Sequence, residues 1–412
     1  MAEISKGPYV GVLSSQFPCS LYPGLGLPVR ERMFRVARRL PLFVVSPTPW
    51  IPLEDWIRQN LHPAFRPSMP EYEEQQGIPI WFPRFLTVPG PGVLRQLDGW
   101  TMAKGAYPRF AALHNAGRLD LIDAHGAYPD GYAGVLLGRW LRVPVTITLH
   151  GGELVCARNP RQILKLREVL SGAARIFAVS ETLRQFAVEL GVQDDRVEVV
   201  GNGVDAERFR PRERNAARAA LGISPTAPVL VSSSSAQFSV EKGYNRVIEA
   251  LPALSERWPG LVCLLVGLGS LEKNRRAELE TLVERLDLKE TVRFLDALPQ
   301  GELPGLLSAA DVFVSAAHHE GPVTALLEAM ACGLPVVAFD AGANREIVCH
   351  SELGELVPFG VPSALKTAID LALSRTWDRV VIRRHGESYH WDGRVNRLYR
   401  AFTEAVLEWR AG

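Results

Sequence analysis

The stretch VFVSAAHHEGPVTALLEAMACGLPVVAF, residues 312–339, contains a complete strand–helix–strand unit. Val312–Ser315 and Pro335–Phe339 are short apolar runs rich in β-branched residues, and Thr324–Cys332 between them has the length and composition of a helix. Continuous apolar strands separated by helices are typical of a parallel sheet that is covered on both faces. This stretch therefore predicts an α/β fold.

The same alternation extends outward through almost the whole chain. Further strands are predicted at Tyr9–Leu13, Leu42–Val45, Ile78–Phe82, Leu119–Ala124, Val145–Leu149, Arg175–Val179, Val197–Val200, Val229–Ser233, Val262–Val266 and Val292–Leu295. Further helices are predicted at Val29–Leu40, Val93–Ala116, Tyr132–Leu141, Gln162–Ala173, Glu181–Leu190, Tyr244–Trp258, Leu271–Leu286, Glu302–Ala309, Pro362–Ser374 and Arg394–Trp409. Residues 47–76 hold six prolines and little periodicity, so an ordered loop is predicted there.

The alternation forms two series, which predict two doubly wound, Rossmann-like domains that face each other. Their joint falls within residues 201–228, where Gly, Pro and Arg cluster. We predict an N-terminal domain over residues 1–205, a C-terminal domain over 206–385, and a segment over 386–412 whose amphipathic helix packs back on the N-terminal domain. Because open α/β sheets bind ligands beyond the carboxyl ends of their strands, this arrangement predicts a site in the cleft between the domains.

Composition excludes several classes of protein. The 412 residues are 47% hydrophobic and 22% charged, which excludes a wholly disordered chain. Lys and Arg total 46 against 45 Asp and Glu, which argues against a dedicated nucleic-acid binder. The five cysteines form no C-x-x-C pair and the N-terminus has no apolar signal segment, so a reduced, cytoplasmic protein is predicted. Prolines interrupt two long uncharged stretches, 7–29 and 219–240, so neither is predicted to span a membrane.

Two carboxylates lie in the stretch 312–339, one before and one inside its predicted helix. Glu320 precedes a helix N-terminus, where free N–H groups favour anions. Glu328 is the only charge between Glu320 and Asp340, and a carboxylate in so apolar a helix needs a partner. Ligand hydroxyls suit a group that only accepts hydrogen bonds. The alternative interpretation is a helix-dipole role for Glu320 and a nearby arginine partner for Glu328.

The same stretch resembles a known family. Its pattern Glu-x7-Glu followed by Ala-x-Ala-Cys-Gly-x-Pro-Val-Val-Ala resembles the signature of retaining GT-B glycosyltransferases of family four. Further motifs match that family in order: LYPGLG (21–26), HGAYPDG (125–131), VTITLHGGE (145–153), GNGVD (201–205), FRP (209–211), VEKG (240–243), VGLG (266–269) and FLDAL (294–298). The resemblance spans nearly the whole chain. It implies a GT-B fold with an acceptor on the N-terminal domain and a nucleotide-sugar donor on the C-terminal domain.

On the donor side, the resemblance implies that Glu320 holds sugar hydroxyls, Glu328 the ribose hydroxyls and Lys242 the diphosphate leaving group. Backbone N–H groups after Glu320 would approach the sugar and the diphosphate. The implied donor-binding residues are Gly26, Gln237, Lys242, Gly267, Leu298, Glu320, Gly321, Pro322, Val323, Thr324 and Glu328. There is no Asp-x-Asp pair of the kind that bridges a metal to a diphosphate, so no metal and no other cofactor is expected.

The N-terminal domain supplies the remaining implied residues. His150 ends a predicted strand before two glycines, and the resemblance implies that it faces the reacting sugar as a catalytic residue with Glu320 and Lys242. A solvated loop histidine is the alternative. His125 and Gly24 are implied on the acceptor side, with a structural histidine and an ordinary Pro-Gly turn as their alternatives.

The sequence departs from the family at Gln237, five residues before Lys242, where family members usually have an arginine. Glutamine carries no charge to stabilise the leaving group. Either another arginine substitutes, with Arg345 as a candidate, or the activity is weak or altered.

The resulting hypothesis is a retaining, metal-independent hexosyltransferase that uses a UDP- or GDP-linked sugar in polysaccharide or glycolipid biosynthesis. Its acceptor would be a saccharide or a lipid-linked saccharide. The alternatives are a GT-B sugar phosphorylase or nucleotide-sugar epimerase, and a non-catalytic sugar-nucleotide-binding subunit. The five arginines of Arg30–Arg39 would allow peripheral contact with the inner face of the membrane, although a helix packed on the first sheet is the favoured interpretation.

Overall fold

The computed structural model describes residues 7–51, 69–87, 97–233, 243–267, 273–296, 298–299, 301–317 and 324–412. The chain divides into two compact units, Met1–Gly201 with Asp392–Gly412, and Asn202–Trp391. Each unit is built on its own largely parallel sheet with helices between the strands, which confirms the predicted α/β class. The divisions fall a few residues from the expected boundaries at 205 and 385.

The N-terminal unit contains an eight-stranded sheet. Two further strands pair separately, so the described part of this unit contains ten strands. They are β1 Val10–Leu13, β2 Leu42–Val45, β3 Thr48–Trp50, β4 Tyr72–Gln75, β5 Ile78–Trp81, β6 Arg84–Leu86, β7 Leu121–His125, β8 Val145–Leu149, β9 Arg175–Ala178 and β10 Val197–Val199. The sheet order is β10-β9-β8-β7-β1-β2-β5-β4, and every pair is parallel except β4–β5. The separate pair is β3–β6. Strands β1, β2, β7 and β8 are buried along their whole length, which explains their continuous apolar runs.

Helices cover this sheet between the strands. Those before residue 201 are α1 Leu27–Val36, α2 Asp98–Asn115, α3 Tyr132–Leu141, α4 Gly152–Cys156, α5 Pro160–Ser171 and α6 Glu181–Glu189. A short turn over Ala127–Gly131, which contains a cis Tyr128–Pro129 peptide, connects β7 to α3.

The C-terminal unit contains a six-stranded, fully parallel sheet. Its strands are β11 Val229–Ser233, β12 Val262–Val266, β13 Val292–Leu295, β14 Val312–Ser315, β15 Val336–Phe339 and β16 Gly354–Val357, in the order β13-β12-β11-β14-β15-β16. Its helices are α7 Arg214–Ala220, α8 Tyr244–Arg257, α9 Lys273–Arg285, α10 Leu303–Ala309, α11 Thr324–Ala331, α12 Asn344–Ile347, α13 Pro362–Ser374 and α14 Arg379–Glu387. The last helix, α15 Trp391–Ala411, belongs almost entirely to the N-terminal unit.

Most predicted elements are present with small shifts at their ends, but the loop predicted over residues 47–76 is wrong where the structure describes it. That segment contains β3 and β4. Strand β4, Tyr-Glu-Glu-Gln, lies at the sheet edge with every residue exposed or half-buried, so no apolar run marks it. The helix predicted from Val93 is described from Asp98, and its earlier residues lie outside the described part of the chain.

Helix α1 directs arginines into the protein. Arg32 is fully buried and donates to the carbonyl oxygen that follows β10, at 2.5 Å. Arg35 and Arg30 lie 2.7 and 3.2 Å from the carboxylate oxygens of Glu31. Only the last two arginines of the predicted five-arginine helix are exposed, and they lie beyond its end. These contacts fit a helix packed on the sheet. Within the described residues, no helix combines the length and apolarity needed to cross a bilayer.

Candidate functional site

Polar side chains, most of them buried, cluster at the carboxyl ends of β1, β7 and β8 in the N-terminal unit. Its members are Ser15, Asp123, His125, Asp130, His150 and Glu153. Strand β1 lies between β7 and β2, so the connections leave it in opposite directions. Open α/β sheets bind ligands in the crevice at such a switch point, which makes this cluster the candidate site of the unit.

Asp123, His125 and His150 form a continuous chain of polar contacts. His125 Nε2 lies 3.1 Å from Asp123 Oδ2, and His125 Nδ1 lies 2.9 Å from His150 Nε2. The two imidazole rings are stacked, with centroids 5.2 Å apart. Thr146 Oγ1 donates to the second carboxylate oxygen of Asp123 at 2.8 Å. Asp123, His125 and Thr146 are buried and His150 is partly exposed, so this series of polar contacts leads from the core to the surface.

The distances around the two histidines limit the arrangement of protons. Asp123 Oδ2 and His125 Nε2 are close, but neither atom makes a hydrogen bond in the structure. His125 Nδ1 and His150 Nε2 lie at hydrogen-bond distance, so one of these nitrogens carries the proton and the other accepts it. When His150 is the donor, its Nδ1 is left as a hydrogen-bond acceptor.

The surroundings keep this acceptor uncharged. Burial lowers the pKa of His150 well below its ordinary value, and electrostatic interactions with His125 and Arg32 lower it further. The guanidinium of Arg32 is itself buried, and burial lowers its pKa to about 10 although the charge of Asp123 opposes this shift. His150 is therefore neutral at neutral pH and can accept a hydrogen bond from a hydroxyl group.

Glu153 fixes the loops that carry the two histidines. Its Oε1 accepts the backbone N–H of Ala127 at 3.0 Å, and its Oε2 accepts those of Gly151 and His150 at 2.8 and 3.2 Å. Ala127 follows β7 and the other two residues follow β8, so one carboxylate holds both loops. Burial raises the pKa of Glu153 although the backbone N–H groups lower it.

Asp130 connects the loop after β1 to the same cluster. It is buried and accepts hydrogen bonds from the backbone N–H and from the hydroxyl of Ser15, the latter at 2.9 Å. Burial raises the pKa of Asp130 to about 7, and the hydrogen bonds from Ser15 oppose this shift. Gly26 closes the loop with φ of +65°, and a Cβ there would lie 2.0 Å from the carbonyl oxygen of Gln16, so only glycine fits. Gly24 lies in the turn just before it.

In the C-terminal unit, the ends of β11, β12 and β14 approach one another closely. Gly243 has φ of +74°, and a Cβ there would lie 1.9 Å from the carbonyl oxygen of Ala316, which follows β14. The hydroxyl of Tyr244 donates to the carbonyl oxygen of Val266 at 2.8 Å, beside Gly267 with φ of +111°. Because a Cβ would collide with the carbonyl oxygen of Ala316, position 243 has room only for glycine. A ligand near this position would contact backbone N–H and C=O groups rather than a side chain.

The remaining described donor-side residues belong to this unit as well. Leu298 packs against the core. Thr324 begins α11, and Glu328 lies one turn later, half-buried. Burial raises the pKa of the Cys332 thiol to about 12, and the charge of Glu328 adds to that shift. Arg345 Nε donates to Asp340 Oδ1 at 2.9 Å, so this arginine already has an acidic partner.

The sequence-predicted residues are thus divided between the two units. The structure brings His125 and His150 into contact, with Gly24 and Gly26 in a loop tied to theirs. The predicted residues Gln237, Lys242, Glu320, Gly321, Pro322 and Val323 lie outside the described part of the chain.

Sequence reasoning assigned no role to four charged residues that hold the cluster together. They are Arg32, Asp123, Asp130 and Glu153. One signal was available, because Asp123 is the only acid within the buried strand Leu121–His125. A buried carboxylate needs hydrogen-bond donors or a cation close to it. His125 ends the same strand as Asp123, and His150 follows the next strand along the chain, β8.

Comparison with known families covers most of the chain. The sequence model described as Glycosyltransferase Family 4 matches residues 61–208, and the one described as Glycosyl transferases group 1 matches residues 213–388. D-inositol 3-phosphate glycosyltransferases are similar in sequence. The protein of that name from Geodermatophilus obscurus is 32% identical over 74% of this chain and 70% of its own length. The one from Thermomonospora curvata is 31% identical over 72% of this chain and 74% of its own length.

Solved structures share the fold over almost the entire chain. Sucrose-phosphate synthase from Thermosynechococcus elongatus superposes with a TM-score of 0.73 at 21% identity, covering 97% of this chain and 100% of that one. Anabaena HepE in complex with UDP superposes with a TM-score of 0.69 at 19% identity, covering 96% of this chain and 99% of that one. At these identities the likeness concerns the fold.

Proposed function

The chain belongs to the GT-B glycosyltransferases of family four, and from this premise we propose that it is a retaining, metal-independent hexosyltransferase with a nucleoside diphosphate sugar as donor. The observation that carries the proposal is the series of side-chain contacts from Asp123 through His125 to His150. This series ends in a neutral imidazole at the carboxyl edge of the sheet. A family signature without such a cluster would support the fold alone.

The proposed chemistry breaks the bond between the anomeric carbon and the diphosphate oxygen and forms a bond to the acceptor oxygen. The acceptor hydroxyl loses its proton in this step, and the departing diphosphate oxygen takes that proton up. His150 Nδ1 is available to accept a hydrogen bond from a substrate hydroxyl, and it orients the sugar while the charge on the anomeric carbon grows. Asp123 and His125 do not contact substrate in this proposal; they hold His150 in the productive tautomer.

The proposal assigns donor binding to the C-terminal unit. Glu320 would bind sugar hydroxyls, Glu328 ribose hydroxyls and Lys242 the diphosphate. Support comes from Gly243 and Gly267, which adopt positive φ beside the carboxyl ends of β14 and β12, where α/β sheets bind ligands. HepE was solved with UDP and with UDP-glucose, so we propose a uracil nucleotide as the first donor series to test.

The acceptor is proposed to be a saccharide or a lipid-linked saccharide in the synthesis of a polysaccharide or glycolipid. The relatives named D-inositol 3-phosphate glycosyltransferase make a phosphorylated polyol the competing acceptor class. A cytoplasmic location completes the proposal. Peripheral membrane contact through Arg30–Arg39 is not part of it, because Arg32 is buried and its neighbours pair with Glu31.

Thermal stabilisation by UDP, GDP and ADP, each with and without EDTA, tests the donor site directly. A ligand that binds only the folded protein stabilises it by RT ln(1 + [L]/Kd), about 2.7 kcal/mol at 100 times Kd. We expect one nucleotide to raise the melting temperature whether or not EDTA is present, and Glu328→Gln to reduce that shift. Loss of the shift with EDTA would contradict metal independence.

A non-catalytic sugar-nucleotide-binding subunit is the second candidate, because Gln237 stands where the family usually has an arginine. It predicts nucleotide binding without sugar transfer to any acceptor, and transfer that appears in Gln237→Arg. Turnover by the unmodified protein would exclude it. Phosphate-dependent turnover, or isomerisation of the donor without acceptor, would instead identify a phosphorylase or an epimerase.

A further inference from the structure

Exposed aromatic side chains surround a lysine on helices α2 and α3. We define the aromatic face as Trp100, Lys104, Tyr107, Arg139 and Trp140. Trp100 is 48% exposed, Tyr107 39% and Trp140 37%. Each of these three large aromatic side chains leaves more than a third of its area in solvent, and an exposed apolar patch made of neighbouring side chains indicates an interaction surface.

The three aromatic rings of the face and Lys104 contact one another. Lys104 Nζ lies 5.5 Å from the ring centre of Trp100 and 4.9 Å from that of Trp140. The rings of Tyr107 and Trp140 are in edge-to-face contact with centroids 5.7 Å apart. Positions 100, 104 and 107 share one stripe of α2, which extends about 10 Å along the helix axis. These four side chains therefore form one continuous surface patch, and the exposed Arg139 precedes Trp140 on α3.

Charge is distributed unevenly around this face. Helices α2 and α3 carry a single acid, Asp98, which is buried and accepts a hydrogen bond from Thr87 at 2.9 Å. The neighbouring helix α5 exposes Arg161, Leu164 and Arg167, with Glu168 as its only acid. The whole chain has 46 basic and 45 acidic residues, so the excess of positive charge belongs to this surface rather than to the protein.

We propose that the aromatic face docks this protein on the surface of a lipid bilayer that contains anionic phospholipids. Tryptophan and tyrosine rings sit at the level of the lipid headgroups, with an apolar body toward the acyl chains and a polar edge toward water. Lys104 and Arg139 reach the phosphates from the same surface, and anionic headgroups attract them.

Two other occupants fit the face less well. A second copy of this chain on the same face would bring Lys104, Arg139 and their symmetry mates together without an exposed acid of α2 or α3 between them. Saccharides and other small ligands bind in concave pockets, whereas this face consists of side chains that α2 and α3 expose to solvent. A bilayer needs neither an opposing carboxylate nor a pocket.

Co-sedimentation with vesicles tests the proposal. The full chain is mixed with vesicles of phosphatidylcholine and phosphatidylglycerol, and with phosphatidylcholine alone, at low and high salt. We expect binding to the mixed vesicles that weakens in salt. Trp100→Ala with Trp140→Ala should weaken it by about tenfold or more, because two indole rings leave the interface. Lys104→Gln with Arg139→Gln should weaken it by roughly fivefold for each charge removed.

Matched variants in the C-terminal unit provide the controls. Lys289→Gln with Lys366→Gln removes the same charge from exposed positions, and Leu371→Ala with Val380→Ala removes exposed apolar side chains. Both pairs should bind vesicles like the unmodified chain, and all variants should keep its melting temperature. The proposal is wrong if the control pairs weaken binding equally, if only an anionic polysaccharide such as dextran sulfate is bound, or if the chain dimerises through this face.

Discussion

Each unit contains a buried network of charge, and the two networks differ in where they end. In the N-terminal unit, Asp123, His125 and His150 lie at the carboxyl edge of the sheet, and the last imidazole is partly exposed. In the C-terminal unit, Arg218 and Asp311 lie at the amino edge beside the first residues of β11 and β14. We call the first the open network, because it ends in a partly exposed imidazole. We call the second the closed network, because its carboxylate is paired with cations on both oxygens, the buried Arg218 and the exposed Arg214.

The closed network satisfies its donors internally. Arg218 Nη2 lies 2.9 Å from Asp311 Oδ2, and Arg218 Nε donates to the carbonyl oxygen of Ala309 at 2.9 Å. The same oxygen of Asp311 accepts the backbone N–H of Val229 at 2.8 Å. The comparison teaches that buried charge by itself does not indicate a functional site. A site is indicated by a hydrogen-bond acceptor at the exposed end of a network, at the edge where α/β sheets bind ligands.

The largest expected effect is the loss of the closed network. Arg218→Met leaves Asp311 without its buried partner, so we expect the free energy of unfolding of the C-terminal unit to fall by about 3–5 kcal/mol. Urea denaturation measures this change. Arg214→Met is the matched control, since Arg214 pairs with the other oxygen of Asp311 from an exposed position and should cost no more than about 1 kcal/mol. Equal effects would show that burial is not what distinguishes the pair.

His150→Gln should remove activity without removing stability. Glutamine cannot reproduce the imidazole acceptor in the same place, so we expect turnover of the donor to fall by about 10²–10³-fold. The free energy of unfolding from urea denaturation should change by no more than about 1 kcal/mol, because the side chain is partly exposed. His114→Gln, on α2 outside the cluster, should leave both quantities unchanged. If His150→Gln turned over the donor at the normal rate, the open network would have no part in the reaction.

Asp123→Asn tests whether the inner end of the open network controls its outer end. Asparagine keeps the acceptor for Thr146 but directs an NH2 group at His125, which reverses the protons along the chain. We expect kcat to fall by about 10–10²-fold with little change in the melting temperature, and the pH profile of kcat to shift. A variant that loses stability and activity together would assign Asp123 a packing role instead.

Asp130 gives an effect that is small for each pH unit, about 1 kcal/mol, and has a defined sign. Its pKa is raised to about 7 in the folded protein from 3.8, so the folded state binds the extra proton between these values and loses stability as the pH rises. Asp130→Asn resembles the protonated form. Its stability relative to the unmodified chain should increase by about 1 kcal/mol per pH unit between pH ~4 and pH ~7 and then level off. Melting temperatures across this range measure the difference, and a pH-independent difference would contradict the assignment.

The fold was predictable from the sequence because parallel strands that are buried on both faces consist of continuous apolar residues. Val145–Leu149 and Val262–Val266 were predicted with their observed bounds for this reason. Strand β4 was missed because an edge strand needs no apolar run, and its residues Tyr72–Gln75 are mostly polar. Helix α7, rich in Ala and Arg, was missed within the Gly- and Pro-rich joint.

The site was predictable in part. His125 and His150 could be chosen by their motifs, but their contact depends on the register between β7 and β8, which pairs His125 with Thr148. The same motifs contain Asp130 and Glu153, but no local pattern shows that these carboxylates accept the backbone N–H groups of Ser15 and Ala127 in other loops. The exposed stripe on α2 was not recognised either, because Trp100 and Tyr107 follow ordinary helical spacing.

The most direct test of the account is donor turnover by His150→Gln beside Arg218→Met, each compared with the unmodified chain at a temperature where all three are folded. The account predicts that the first variant loses at least about a hundredfold in turnover at unchanged stability, while the second loses stability and keeps its turnover. Normal turnover by folded His150→Gln, or comparable loss in folded Arg218→Met, would contradict the claim that the open network is the site.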